Sequence, residues 1–189
     1  MNYFRYENFF MPKISEKVVV TAKEFLSEKN INDNANLNEP IYQAKLQEFD
    51  WDGQFNAASV FCEVVWKISI GRDSLSEWRQ LDKLFSPSPI ATHANFRGCR
   101  AYKTGNVPEK GALVFWKRGN SWQGHMAIVS DVSADKESFD IIEGRVLTGS
   151  ETAGNFLKVE ERKEKKVSLP FRNDKLNILG FVYPKDKDI

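Results

Sequence analysis

The 189-residue sequence predicts an α+β domain in which N-terminal helices pack on a C-terminal antiparallel sheet. Apolar residues recur at helical spacing up to about residue 85 and change to strand-like runs after Pro108. The two kinds of period are segregated, not alternating, and this separates the arrangement from a doubly wound parallel sheet. Length adds a bound, since one core typically serves about 100 to 200 residues, so residues 1–189 are expected to form a single domain.

From Ser15 to about Glu28, the residues Val18, Val19, Ala22, Phe25 and Leu26 keep helical spacing behind a Ser15 cap and predict an amphipathic helix. An Asn- and Asp-rich loop over 30–40 leads to 41–49, where a short helix is expected. The most regular stripe follows: Ala57, Val60, Phe61, Val64, Val65 and Ile68 repeat at i, i+3, i+4 and i+7 from a start near Asn56, and Gly71 supplies the stop. This is the expected central buried helix. Asp73 or Ser74 can cap another through Leu75, Trp78, Leu81 and Leu84, which the Ser-Pro-Ser-Pro run from Ser86 is expected to end, leaving a loop as far as Pro108. Strands are predicted at 112–117, 126–132 and 138–143, near Phe156 and at 178–183, giving a sheet of five or six strands. The run KVEERKEKK at 158–166 mixes both signs and suits a solvated strand edge or hairpin better than a binding patch.

Lys and Arg total 27 against 26 for Asp and Glu, so no global field draws the chain to nucleic acid or an anionic membrane, and any partner is recognised locally. No segment approaches the roughly 20 apolar residues of a membrane span. The opening MNYFRYENFFMPKISEK lacks the apolar stretch of a signal peptide, so synthesis in the cytoplasm is expected. Cys62 and Cys99 are too few for a disulfide scaffold and lack the spacing and neighbouring histidines of a zinc site. One disulfide between them stays open, and no metal or organic cofactor is indicated.

The chain has two histidines. His125 follows Gly124 in GNSWQGHMAIVSD, at the mouth of an apolar strand where loops expose side chains, whereas His93 has no comparable frame. The residues after His125 read as a hairpin turning at Ser133, Ala134, Asp135 and Lys136. Pairing centred on Ala134 sets position 125 opposite Glu143, whose carboxylate can accept the imidazole Nδ1 proton and orient the ring as the third member of a triad does. A structural histidine and a surface glutamate at a strand end are the plain alternatives. A base with its orienting acid needs a nucleophile, and the first turn of a buried helix is where the helix end stabilises a thiolate. In FNAASVFCEVVWK that place is held by Ala58, which has no such chemistry, and Cys62 stands one turn further on.

These segments resemble the two signatures of the NlpC/P60 and CHAP peptidoglycan hydrolases. In those families a cysteine opens a helix in patterns such as C-S-G-F-V; Ala58, Ser59, Val60, Phe61 and Cys62 are similar, with the serine and the aromatic in register and alanine in place of the cysteine. The second signature is a Pro and Gly turn, a strand of the L-V-F-W type, a Gly-rich loop and G-H before apolar residues, here Pro108 to Val129. The closing ILGFVYP is similar to the last CHAP strand, and the W-Q-G-H loop resembles phage- and secretion-associated members.

The likeness spans about residues 15–184 and implies a papain-like fold. It also implies a cysteine-type amidase or endopeptidase acting on peptidoglycan. Position 58 would be the nucleophile facing a cleft, His125 the base and Glu143 the orienting acid. Gln54 would be an oxyanion donor, and Trp51, Trp122 and Gln123 would line the groove. Three accounts of Ala58 stand open: an engineered Cys-to-Ala exchange, a natural loss, and Cys62 acting instead. Natural loss would leave a silent module that binds wall peptides or a partner such as an immunity or secretion protein. The wall would be reached by non-classical export or phage-type release.

Overall fold

The computed structural model describes residues 13–27, 57–71, 74–148, 155–166 and 175–185. In chain order these hold α1 (Ile14–Ser27), α2 (Ala57–Trp66), a π-helical turn (Lys67–Gly71), α3 (Leu75–Leu84) and α4 (Pro89–Gly98). The strands follow: β1 (Thr104–Gly105), β2 (Leu113–Arg118), β3 (Gly124–Val132), β4 (Ser138–Thr148), β5 (Asn155–Lys166) and β6 (Leu176–Val182). They form one six-stranded sheet in the order β1-β6-β2-β3-β4-β5, antiparallel at every neighbouring pair. Helices therefore precede the sheet, as the segregated periods predict. The loop and short helix expected at 30–40 and 41–49 lie outside the described residues.

Strand side chains alternate between faces, and the apolar residues divide accordingly. Leu113 and Phe115 of β2, Met126 and Ile128 of β3 and Ile142 of β4 pack with the helices in one cluster. Val114, Trp116, Ala127, Val129, Phe139, Ile141 and Phe181 form a second cluster on the other face. Helix α2 is buried along its whole length. Its Trp66 sits among Phe85, Phe96 and Tyr102 at centroid separations of 6.2, 5.6 and 5.9 Å, and full burial of a side chain such as Phe61 contributes about 1.5–3 kcal/mol.

Three local features differ from the sequence expectation. The Ser-Pro run does not leave a continuous loop. Ser88 caps α4 by accepting the Ala91 N–H at 3.3 Å, and Pro89 stands in the first helical turn, where its missing N–H leaves no bond unmade and its fixed φ suits the helix. Helix α2 does not run evenly to Gly71, because a π-helical turn occupies Lys67–Gly71. Buried Lys67 there meets Glu63 at 2.8 Å and also Asp82 of α3, the partners that a buried ammonium requires. Finally, the β3–β4 hairpin pairs Ile128 with Ile142 and Val132 with Phe139, with a bulge between Val129 and Asp131. Its turn closes by Ser133 N–H donating to the Ser138 carbonyl at 3.0 Å, and Lys136 takes φ 60. Pairing is therefore centred beyond Ala134.

Cys62 and Cys99 are both free, so the disulfide left open by the sequence is not formed. The charged run at 158–166 belongs to β5, an edge strand of the sheet, where charged residues discourage pairing with another chain.

Candidate functional site

His125 is placed by its neighbours on β2. At Gly124 a Cβ would lie 2.9 Å from Ile90 Cγ1 and 3.0 Å from the Trp116 carbonyl oxygen, so the residue that starts β3 has no room for a side chain. His125 then pairs with Trp116 in the ladder, and the two rings lie 5.6 Å apart at an interplanar angle of 32°. Its Nε2 is 2.5 Å from Glu143 Oε2.

The predicted partners are thus together, but by a different route. Since Ile128 pairs with Ile142, Glu143 lies diagonally across from His125, and two long side chains span that diagonal. The ring nitrogen involved is Nε2, the outer one, and not the expected Nδ1. With Nε2–H donating to the carboxylate, Nδ1 keeps its lone pair and is the basic atom of the ring.

The Glu143 side chain is only 4% exposed, and its Oε1 lies 2.7 Å from Arg162 Nε. Arg162 Nε also donates to Glu160 Oε1 at 2.7 Å. A buried carboxylate needs such partners to stay charged. Sequence reasoning missed Arg162 and Glu160. Their period-two spacing was visible, but its meaning depends on the β4–β5 register, which pairs Glu143 with Glu160 and Ile141 with Arg162.

Ala58 occupies the first turn of α2 as predicted. It is 8% exposed and belongs to the helix-side cluster, so it packs against the core where an open cleft was expected. Helix and site meet at β4: a Cβ on Gly144 would lie 2.7 Å from Phe61 Cβ and 2.8 Å from the Ala57 carbonyl oxygen. Glycine there lets the head of α2 touch the strand one residue from Glu143.

Cys62 is fully buried. Burial pushes its thiol up, and the Glu143 charge adds to the effect, so it is held as an unreactive thiol near neutral pH.

Trp122 is 75% exposed and Gln123 is also exposed, on the β2–β3 connection. Ser121 Oγ donates to the Arg118 carbonyl at 2.6 Å and accepts Gln123 N–H at 3.2 Å, so the indole is presented to solvent from a tied turn three residues before His125. Trp51 and Gln54 lie outside the described residues. His93 sits in α4, buried beside Phe115 with rings 5.1 Å apart. Burial, helped by Arg97, lowers its basicity. Among the described residues no group of three or more His, Cys, Asp or Glu could hold a metal ion, and no helix is long and apolar enough to cross a membrane.

Residues 56–145, the stretch that carries α2, His125 and Glu143, match the CHAP domain family. CHAP domains have a papain-like fold and are typically amidases or peptidases acting on peptidoglycan, and the matched stretch with its α+β architecture is consistent with a domain of that kind. The resemblance read from the sequence holds for this central stretch. No curated protein and no solved structure matches the chain.

Proposed function

We propose that the chain carries a cysteine-type peptidoglycan amidase or endopeptidase site whose nucleophile position holds Ala58, so that this form engages wall peptide without cutting it. The observation that carries the reading is the 2.5 Å contact from His125 Nε2 to Glu143, which leaves Nδ1 as a base within a CHAP-matching segment. In a thiol-bearing form, Nδ1 takes the proton from the thiol at position 58 and the thiolate attacks the amide carbonyl. The imidazolium returns the proton to the leaving amine, and water then releases the acyl group by the same base. Glu143 holds the ring and stabilises the imidazolium.

Alanine has neither a lone pair nor an ionisable proton to contribute, and Cys62 is too buried to replace it. Gln54 would serve the oxyanion, with Trp51, Trp122 and Gln123 along the groove. The chain would act on the wall after non-classical export or phage-type release.

The burial of Ala58 favours a second reading, a module that has shed catalysis and binds wall peptides or a partner such as an immunity or secretion protein. One assay separates the two: fragment release from purified peptidoglycan of several stem-peptide chemistries, read by chromatography and mass. The chain as given, Ala58→Cys, and Ala58→Cys with His125→Ala are compared. Release confined to Ala58→Cys supports the hydrolase site. A folded Ala58→Cys protein that binds walls and releases nothing supports the silent module. Equal release by all three, or activity of the given chain that is lost on Cys62→Ser, overturns the placement of the nucleophile.

A further inference from the structure

We infer that Arg162, supplied by the edge strand β5 from outside the CHAP-matching residues, is a positioning residue that holds Glu143 turned toward His125. The inference rests on the reading of His125 as the base. Glu143 and Glu160 stand directly opposite one another in the β4–β5 ladder, an arrangement in which like charges destabilise a sheet. Glu143 is also buried, so its charge has little water to screen it. Arg162 lies two residues along the same face of β5 and sets Nε 2.7 Å from one oxygen of each carboxylate.

The guanidinium offsets the repulsion and occupies Oε1, so that Oε2 stays with the imidazole. It acts on the imidazole through the carboxylate. The described groups bearing on His125 are Glu143 from β4, Glu160 and Arg162 from β5, the Trp116 ring from β2, and, through Glu143, the buried Cys62 thiol of α2. The charged members together carry one negative charge in excess.

The test needs no catalysis. With two histidines in the chain, both imidazoles can be followed through pH by NMR, with His93 as an internal control. In Arg162→Gln the Glu143 carboxylate is no longer held at Oε1 and swings away from the imidazole, so His125 should take up its proton at a pH lower than in the unsubstituted chain by about half a unit or more. Arg162→Lys, which keeps the charge, should stay close to the parent, while Glu143→Gln should move His125 in the same direction as Arg162→Gln.

Arg162→Met, which keeps an apolar stem of similar length and removes the same donor, carries the same expectation and decides the matter if Arg162→Gln does not fold. A His125 titration unmoved or moved upward in Arg162→Gln, with His93 unchanged, overturns the inference, because loss of a cation that did not position Glu143 would leave the carboxylate on the imidazole and only remove a positive charge nearby. Since fragment release is not the readout, failure here and failure of the hydrolase reading are distinguishable.

Discussion

Gly124 and Gly144 bracket the imidazole and the carboxylate, each filling a place that a methyl group could not share. Gly144→Ala would press a Cβ against Phe61 and the Ala57 carbonyl, one of them backbone, and overpacking of this kind costs about 1–3 kcal/mol. Urea unfolding should show that loss, with a smaller effect at Gly98, where an added Cβ meets nothing within 4 Å. At this scale the pairing of His125 with Glu143 was legible, although the assumed register was not. Long side chains tolerate a diagonal, so the pair survived a shift of the turn. The choice of Nε2 over Nδ1 was not legible, because it depends on how the ring lies against Trp116. Nor was the burial of Ala58, since helical spacing places a residue on a turn without saying what covers that turn.

Among the elements, the helices show how capping outranks composition. A proline run reads as a breaker, yet one serine placed before a proline starts a helix, because the first turn is where proline fits. Ser88→Ala should remove the acceptor of the Ala91 N–H and lower stability by about 1 kcal/mol, measured as a fall in Tm without loss of the sheet signal in circular dichroism. The long β4 and β5 were only partly legible: strands near 138–143 and Phe156 and a strand edge or hairpin at 158–166 were expected, but β4 extends through Thr148 and β5 runs as one strand from Asn155 to Lys166. Charged residues hide the period-two signal there, and those same charges include Glu160 and Arg162. An edge strand thus lends a cation to the site while its charges guard the edge.

For the whole molecule, the α+β class followed from the order of hydrophobic periods, which reports the layers directly. What the order could not report is that the sheet is packed on both faces. His93 has a consequence for acid stability. Its folded-state basicity lies below the ordinary value of 6.5, through burial first and Arg97 second. The unfolded chain therefore binds the proton more readily. Stability from this group is present above about pH 6.5 and is lost as pH falls through the lower folded value. His93→Gln should lose less Tm than the parent between about pH 7.5 and 5.5, and an equal loss would remove His93 from the account.

The proposed hydrolase site spans the two faces of the sheet. A thiol at position 58, on the helix side, must be activated by an imidazole that stacks on Trp116 of the other cluster, with β4 at Gly144 as their junction. The rate of iodoacetamide alkylation in Ala58→Cys across pH tests this most directly. The unsubstituted chain supplies the background of Cys62 and Cys99, and Ala58→Cys with His125→Ala supplies the control. The account predicts alkylation near neutral pH about tenfold or more faster than an ordinary thiol, lost when His125 is removed. A thiol that reacts slowly until about pH 8.5, with or without His125, would contradict it.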